Sequence, residues 1–565
     1  MFRPKLLDLF QNYSVHQCSK DLMAGIVVGI VALPLAIAFA IASGVSPEKG
    51  LFTAVIAGFL ISAVGGSKVQ IGGPTGAFIV IVYGVVQSYG ITGLITATLM
   101  AGCMLIAMGI GKLGSIIRFI PYPLIIGFTS GIALIIFSSQ LKDGLGLPIA
   151  ELPAGFAGKW QSYWQHFKYL DVYAAVITVL TIAVMLLWPA FTHKIPGSLI
   201  AIIITSWLAR RLHLPVETIG SRFGTVSYKF PALSLPRLDM ATIQKLVQPA
   251  FTIALLGAIE SLLSAVVADG MTGDEHDSNT ELIGQGTANV FSALFGGIPA
   301  TGAIARTATN IKNGGRTPVA GLIHALSLLA IVLFAGQWVV YIPMATLAGI
   351  LIIVAYNMSE LSNFFAILKG NRSDAAILLI TFALTVFVDL TVAIEIGMIL
   401  AAFLFMRTMI SISHVKWLTE KTGIIAQDQQ TEALNHYKIN DRVEVFEITG
   451  PLFFGAAYKF KEVIKLIERS PEILIIRMRH VSMIDGTGIK TIKEIHRYCR
   501  HHGIKLVLAE VYSVQVMDEL KKSRLLFAIG KANVTGSFEV AVNRATIILR
   551  DNFLLAIVHS EETAQ

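Results

Sequence analysis

The sequence predicts a polytopic α-helical membrane protein, with about fourteen transmembrane segments in two inverted repeats of seven and a small cytoplasmic α/β domain behind them. Three observations predict this. Of 565 residues, 54% are hydrophobic and only 14% charged, whereas a soluble domain carries about 25% charge. Long apolar runs dominate as far as about residue 410. Beyond that point the pattern changes to short β-branched runs alternating with amphipathic ones.

The apolar runs fall at 24–42, 51–64, 75–87, 91–110, 123–140, 172–188, 195–212, 249–268, 282–295, 302–311, 318–335, 339–356, 375–388 and 393–406. Several are shorter than the ~20 residues a straight crossing needs. Short segments flanked by Gly and Pro are the pattern of broken helices at a binding site. With a cytoplasmic N-terminus carrying Arg3, Lys5 and Lys20, the even-numbered segments exit at Lys68, Lys112 and Arg118, Lys194, Lys312 and Arg316, Lys369 and Arg372, and Arg407 with Lys416. That agrees with the positive-inside rule. An external loop holding Arg210, Arg211, Arg222, Lys229 and Arg237 goes against it.

The net charge of +8 is therefore a loop effect and gives no reason to expect nucleic acid as a partner. Cys18, Cys103 and Cys499 have neither disulfide nor zinc spacing. The polar first twenty residues do not read as a cleaved signal peptide.

The repeat is visible in two motifs. Gly72-Gly73-Pro74-Thr75-Gly76-Ala77 precedes the short third segment, and Gly296-Gly297-Ile298-Pro299-Ala300-Thr301-Gly302-Ala303 precedes the short tenth. They lie seven crossings apart, and an odd number inverts the second copy. Half-helix N-termini at Thr75, Gly76 and Ala77 and at Thr301, Gly302 and Ala303, if they face each other, form an anion site from free N–H groups and positive dipole ends.

Glu260 lies inside an apolar run. A carboxylate at membrane depth costs several kcal/mol or more, and usually marks an ion or proton path. Ser264 shares its helical face, and Gly257, one turn earlier, is expected to admit another backbone. Arg306 lies one turn into the tenth segment and needs an anionic partner, either a substrate carboxylate or Glu260. Phe39, after Pro34, either closes over a substrate or packs. Asp389 and Glu395 read as interfacial and structural. Asp269, Asp274, Glu275, His276 and Asp277 read as a solvated acidic turn, not a metal site.

In the C-terminal part, 427–435 is a polar linker. Strands are expected at 443–448, 473–478 and 505–509, and helices at 490–502 and 514–522, giving a small sheet with helices on it. The organisation is then 1–20, a membrane domain 21–410, a linker 411–436, a soluble domain 437–555 and a tail 556–565.

These motifs resemble the SulP anion permeases, the family that includes prestin. The matching stretches are Ala32-Leu33-Pro34-Leu35-Ala36-Ile37-Ala38-Phe39-Ala40, Gly73-Pro74-Thr75-Gly76, and Val267-Ala268-Asp269 with Asn279-Thr280-Glu281-Leu282-Ile283-Gly284-Gln285-Gly286. Phe446 to Gly455 and Asp485-Gly486-Thr487-Gly488 resemble a STAS domain. Within the family, Leu256 to Leu263, Ala303-Ile304-Ala305-Arg306 and Tyr356-Asn357-Met358-Ser359-Glu360 look most like the bacterial proton-coupled C4-dicarboxylate transporters.

The resemblance implies a mobile core domain working against a gate domain, a homodimer in the inner membrane with both termini cytoplasmic, and no enzyme activity. Glu260 stands where sodium-coupled bicarbonate members carry Asp, and Ser264 where they carry Thr. A longer acid suggests protonation in place of sodium ligation. Arg306 stands where prestin-like members place an Arg at the anion site, and Phe39 matches the first-helix aromatic. Leu35 replaces their polar Gln, which speaks against chloride-type coordination.

In related STAS loops a Ser after the Asp is phosphorylated. Thr487 occupies that part of the loop beside Asp485, where a plain turn is the stronger reading. The expected function is proton symport of succinate- or fumarate-like anions, with no cofactor beyond protons or sodium as coupling ions. The expected partners are membrane lipid, a second copy and a cytosolic protein at the STAS domain. A sodium-coupled bicarbonate or sulfate symporter is the alternative, and a membrane sensor signalling through STAS is the remoter one.

Overall fold

The computed structural model describes residues 2–11, 13–115, 120–149, 152–153, 155–192, 195–224, 230–233, 239–417, 439–455 and 471–562. Arg118, Lys194, Lys229, Arg237 and the linker from residue 418 to 436 lie outside them. The chain divides into two units, Met1–Ala401 and Ala402–Gln565.

The first unit is helical. α1 (Val15–Ala42), α2 (Pro47–Val64) and α3 (Ile79–Ile110) come first, with β1 (Gly72–Gly73) before α3. Next are α4 (Tyr122–Gly144), α5 (Phe156–His166), α6 (Val172–Leu187), α7 (Gly197–Arg211) and α8 (Ile219–Phe223). α9 (Met240–Thr272), α10 (Ser278–Leu294), β2 (Thr301–Gly302), α11 (Ile304–Lys312) and α12 (Pro318–Ala335) follow. α13 (Met344–Met358), α14 (Leu361–Leu368), α15 (Arg372–Phe387) and α16 (Leu390–Ile412) complete the series. Among the described residues, nine helices are long and apolar enough to cross a membrane. The third and fourth expected segments are the two halves of α3. Gly90, at φ 67° and ψ −173°, breaks the helix between them, a conformation that suits glycine.

The helices pack as two bundles. α3 lies against α9 and α10, α2 against α10 and α12, and α1 against α12; separately, α4 packs on α13 and α15, and α6 on α13 and α7. Small residues set the first bundle's close contacts. A Cβ on Gly102 would stand 2.8 Å from the Gly286 carbonyl oxygen, and one on Gly286 would stand 2.6 Å from that of Gly102. Backbones that close exclude any side chain.

Several of the segment ends expected on the same side lie together. Lys5 N donates to Gly65 O, Lys68 Nζ pairs with Asp274 at 2.7 Å, Gly114 N donates to Asn279, and Gln17 donates to Gly314 O. All of these sit at the end of the bundle that carries the N-terminus. At the opposite end, the basic loop that went against the charge rule is neutralised in part. Arg222 holds Asp143 at 2.7 Å and Glu217 at 2.5 Å, and Arg210 stacks on the Tyr341 ring.

The second unit carries a five-stranded sheet in the order β3-β4-β5-β6-β7: β3 (His414–Trp417), β4 (Val443–Thr449), β5 (Ile473–His480), β6 (Lys505–Ala509) and β7 (Val534–Thr535). β3 is antiparallel to β4 and the remaining pairs are parallel. Alternate residues fill two cores. Phe446, Ile476 and Leu508 pack against α17 (Gly486–His501) and α18 (Val514–Lys522), while Val445, Ile475 and Val507 pack against the last helix, Phe538–Glu562. Burial on both faces is why these strands read as continuous apolar runs.

The expected strands 443–448, 473–478 and 505–509 and the helix 514–522 are present. α17 begins at Gly486 because Asp485 caps it, accepting from Gly488 N at 2.7 Å. Three features depart from the sequence reading. β3 lies inside the stretch taken as linker, β7 is too short to show a period, and the last helix runs to Glu562, into the stretch taken as a tail.

A chain ending at Ser413 should elute as a single symmetric peak in detergent. One ending at Gln427 keeps β3 without its partner β4, an unpaired edge that recruits other chains, and should aggregate. Identical elution of the two would contradict the assignment of β3 to the sheet.

Candidate anion and coupling site

The two Gly-rich motifs meet. β1 and β2 run antiparallel, with Gly72 opposite Gly302 and Gly73 opposite Thr301. This is the pairing that an inverted repeat produces when its copies cross at the middle of a bundle. The bridge continues on both sides. Ala303 N donates to Ile71 O at 2.9 Å, and Ile71 N donates to the Thr307 hydroxyl at 3.0 Å. A half-helix leaves the crossing in each direction: the Gly76–Phe78 turn leads into α3, and α11 begins at Ile304.

Arg306 locks the crossing. Its side chain is 2% exposed. Its guanidinium donates to the Gly72 carbonyl at 3.4 Å and to the Pro74 carbonyl. Of the two partners expected for it, Glu260 is not taken: the described contacts are backbone carbonyls of the opposite repeat. Gly73 makes this possible. It sits at φ 147°, and a Cβ there would lie 2.4 Å from Arg306 Nη1.

Glu260 faces the first half-helix. The Thr75 hydroxyl donates to Glu260 Oε2 at 3.0 Å, and no described Lys, Arg or His pairs with it. Ser264, on the same face of α9, goes elsewhere and donates to the Thr307 hydroxyl at 3.3 Å. The two side chains therefore reach different half-helices. Gly257 does not admit another backbone as expected. The nearest groups to a Cβ there are the Phe78 and Leu105 side chains, while its carbonyl accepts from Thr301 at 2.9 Å.

Phe39 stands at the first half-helix. A Cβ on Gly76 would be 3.5 Å from the Phe39 ring and 2.8 Å from Met358 Sδ, so these two apolar side chains flank the Gly76 Cα. The second N-terminus differs from expectation. Thr301 and Gly302 are consumed as β2, and the Ala303 N–H is bonded. The groups with no intrahelical acceptor are those of the first turn of α11, at Ile304 and Ala305, where both residues are exposed.

A second buried acid was quoted only as part of a motif. Glu281 is fully buried. It accepts from Gly66 N at 2.8 Å, Ser67 N at 3.1 Å, Gln285 at 2.7 Å and Ser261 at 3.3 Å. It anchors the turn after α2 onto α10. Its position in the first turn of α10 was the available signal, since acids favour helix N-termini.

The acidic loop is solvated at Glu275 and Asp277 as expected, but His276 departs from that reading. The His276 side chain is buried, bonded to Asp269 at 2.6 Å and to Ser278 at 3.0 Å, and Asp277 caps α10 through Thr280 N. No metal-ligating cluster occurs among the described residues. Asp389 is exposed and has a structural role, capping α16 through Thr391 N at 2.7 Å. In the second unit Asp485 also accepts from Phe454 N at 3.1 Å, so it orders the loop, and Thr487 is exposed beside it.

Two half-helices crossed at their N-termini, a buried arginine and an acid with no described counter-charge, in one of two helical bundles, are the construction of a secondary membrane carrier. The profile of the Sulfate permease family matches residues 19–381, and that of the STAS domain matches residues 436–537. The putative sulfate transporter YvdB of Bacillus subtilis is 42% identical over 92% of this chain and 97% of its own. The bicarbonate transporter BicA of Picosynechococcus is 34% identical over 77% of this chain and 79% of its own.

The solved transmembrane domain of a cyanobacterial BicA covers 69% of this chain and 98% of its own at 32% identity, with a TM-score of 0.61. The structure titled as the overall structure of SLC26A9 covers 97% of this chain and 93% of its own at TM-score 0.82, and at 18% identity shows the fold alone. The chain belongs to the sulfate permease family. It is an anion transporter and not an enzyme.

Replacing Gly73 with Ala forces a left-handed φ on a Cβ that collides with Arg306. The cost should be about 1–3 kcal/mol, read as a lower midpoint of thermal unfolding in detergent. Gly84→Ala, with nothing within 4 Å of the added Cβ, is the control and should not lower it.

Proposed function

We propose that the protein is a proton-coupled symporter of a small carboxylate anion, a C4-dicarboxylate such as succinate or fumarate. The anion binds between the Gly76–Ala77 backbone and the exposed first turn of α11, with Phe39 closing over it and Arg306 beside it. Two of the five guanidinium N–H donors meet the carbonyls of Gly72 and Pro74, which leaves others for an anion. Glu260 takes the proton.

The observation that carries this reading is the environment of Glu260. A half-buried carboxylate with no described counter-charge is costly to hold ionised, and its one described partner is the Thr75 hydroxyl. A proton needs a single base. A bound metal cation needs several oxygens converging on it, and the Ser264 hydroxyl is turned to Thr307. Because Thr75 belongs to the first half-helix, protonation of Glu260 and occupancy of that helix end are mechanically linked. The bundle of α1, α2, α3 and α9–α12 then moves against that of α4, α6, α7, α13 and α15. By the positive-inside rule the end carrying Lys5 and Lys68 is cytoplasmic, the membrane is the inner membrane, and the working unit is a homodimer.

A second reading is bicarbonate or sulfate carried with sodium; its anions, and not its coupling ion, are what the relatives are named for. A panel of labelled succinate, bicarbonate and sulfate in proteoliposomes, with proton or sodium gradients applied separately, distinguishes the two.

Glu260→Gln mimics the protonated acid. It should retain exchange of labelled succinate across the membrane and lose uphill uptake driven by a pH gradient. Uphill uptake by this variant on a proton gradient alone would falsify the coupling role, and dependence of the unmodified protein on sodium would replace it. Arg306→Ala should weaken anion affinity by about 2 kcal/mol or more, roughly thirtyfold, in a protein that still inserts. Unchanged affinity removes Arg306 from the site.

A further inference from the structure

On the face of the domain away from the N-terminus, a cavity of about 550 Å³ lies between the two bundles. Its wall includes Ala38 and Ile79, which adjoin Phe39 and the Gly76–Phe78 turn in sequence. The cavity thus abuts the anion site from the far side. Its charged lining is Lys142, Asp143, Lys159 and Asp389.

Most of that charge is committed. Asp143 is held by both terminal nitrogens of Arg222, at 3.1 and 2.7 Å, and Lys142 sits in the field of Asp143, Glu217 and Arg222, a set of two acids and two bases. Asp389 caps α16. Lys159 on α5 is different. It is 6% exposed, no described carboxylate pairs with it, and its ammonium lies 5.8 Å from the centre of the Tyr83 ring. A buried cation with no described counter-charge is costly, and it favours any anion that enters the same cavity.

We infer that this cavity is a second, outer anion site, in which Lys159 holds a carboxylate or oxyanion on the path between the far face and Phe39. The inference rests on anion transport by the family and not on the identity of the anion or of the coupling ion. Tyr83 and the α5 backbone position the ammonium, and the apolar wall from Ala38 to Ile79 keeps the stay short by offering no further charge. The outer site raises the local anion concentration at the entrance. Its effect weakens as ionic strength rises.

The test uses thiol chemistry in the full chain, without transport. Cys18 and Cys103 are exposed and are replaced by Ser. Cys499 is buried, and burial pushes its thiol up to about 12, so it stays silent. Gln87→Cys places a thiol on the cavity wall, one helical turn beyond Tyr83. Negatively charged sulfonatoethyl and positively charged trimethylammonioethyl methanethiosulfonates are applied to proteoliposomes from either side.

With Lys159 present, the anionic reagent should gain over the cationic one by roughly tenfold, the size expected of one charge at this range. Lys159→Gln should abolish that preference and Lys159→Arg should keep it, which guards against a variant that merely misfolds. Equal rates with Lys159 in place, a preference that survives Lys159→Gln, or a thiol that neither reagent reaches would each overturn the outer site. Failure of proton or dicarboxylate coupling leaves these rates unchanged, so the two readings fail separately.

Discussion

The membrane domain depends on a crossing of two backbones in the middle of a helical bundle. β1 and β2 contribute only two residues each, yet they settle the hydrogen bonds of chain that cannot be helical at that depth. Unpaired N–H and C=O groups inside a membrane cost several kcal/mol each, so irregular backbone survives there only when other protein groups satisfy it. The ladder satisfies part. Arg306 satisfies more, by reaching across to the Gly72 and Pro74 carbonyls of the opposite repeat. A guanidinium has five donors and no acceptor, which suits it to gather carbonyls that two half-helices leave without partners.

The same constraint organises the chemistry. Gly73 is open enough to let Arg306 approach, and Gly76 and Gly302 leave no room for a side chain at the crossing. The half-helices are thereby held with their N-termini toward one another, the geometry on which the proposed anion site rests. Glu260 on α9 and Thr307 on α11 are then tied to the two halves separately, through Thr75 and through Ile71 and Ser264. A charge change at one acid can alter one half-helix without unlocking the crossing.

Farther from the centre, buried polar groups do static work. Glu281 with Gly66 and Ser67, and His276 with Asp269, tie the ends of α2, α9 and α10 together. Each holds a turn whose backbone donors would otherwise face no acceptor. The outer face differs in kind. There Lys159 remains without a paired carboxylate among the described residues, and the interior face has no described equivalent at Glu260 except a hydroxyl.

The sequence by itself determined the helical membrane domain, an interruption between residues 87 and 91, the inverted repeat and most of the second unit's strands. These follow from local regularities: apolar length against membrane thickness, glycine where φ is positive, and β-branched runs buried on both faces. It also singled out Glu260, Arg306, Phe39 and the two half-helices, because charge, an aromatic and paired glycines in apolar runs stand out without any neighbour. Tertiary structure decided the partners. Nothing along the chain tells that Arg306 turns to carbonyls near residue 73 and not to Glu260, that Ser264 parts from Glu260, or that His276 is buried. Those outcomes depend on which backbone groups of distant segments lack a hydrogen bond after packing. For the same reason β3, four residues long, is visible only beside β4, and Lys159 has meaning only once α5 closes the cavity against Tyr83.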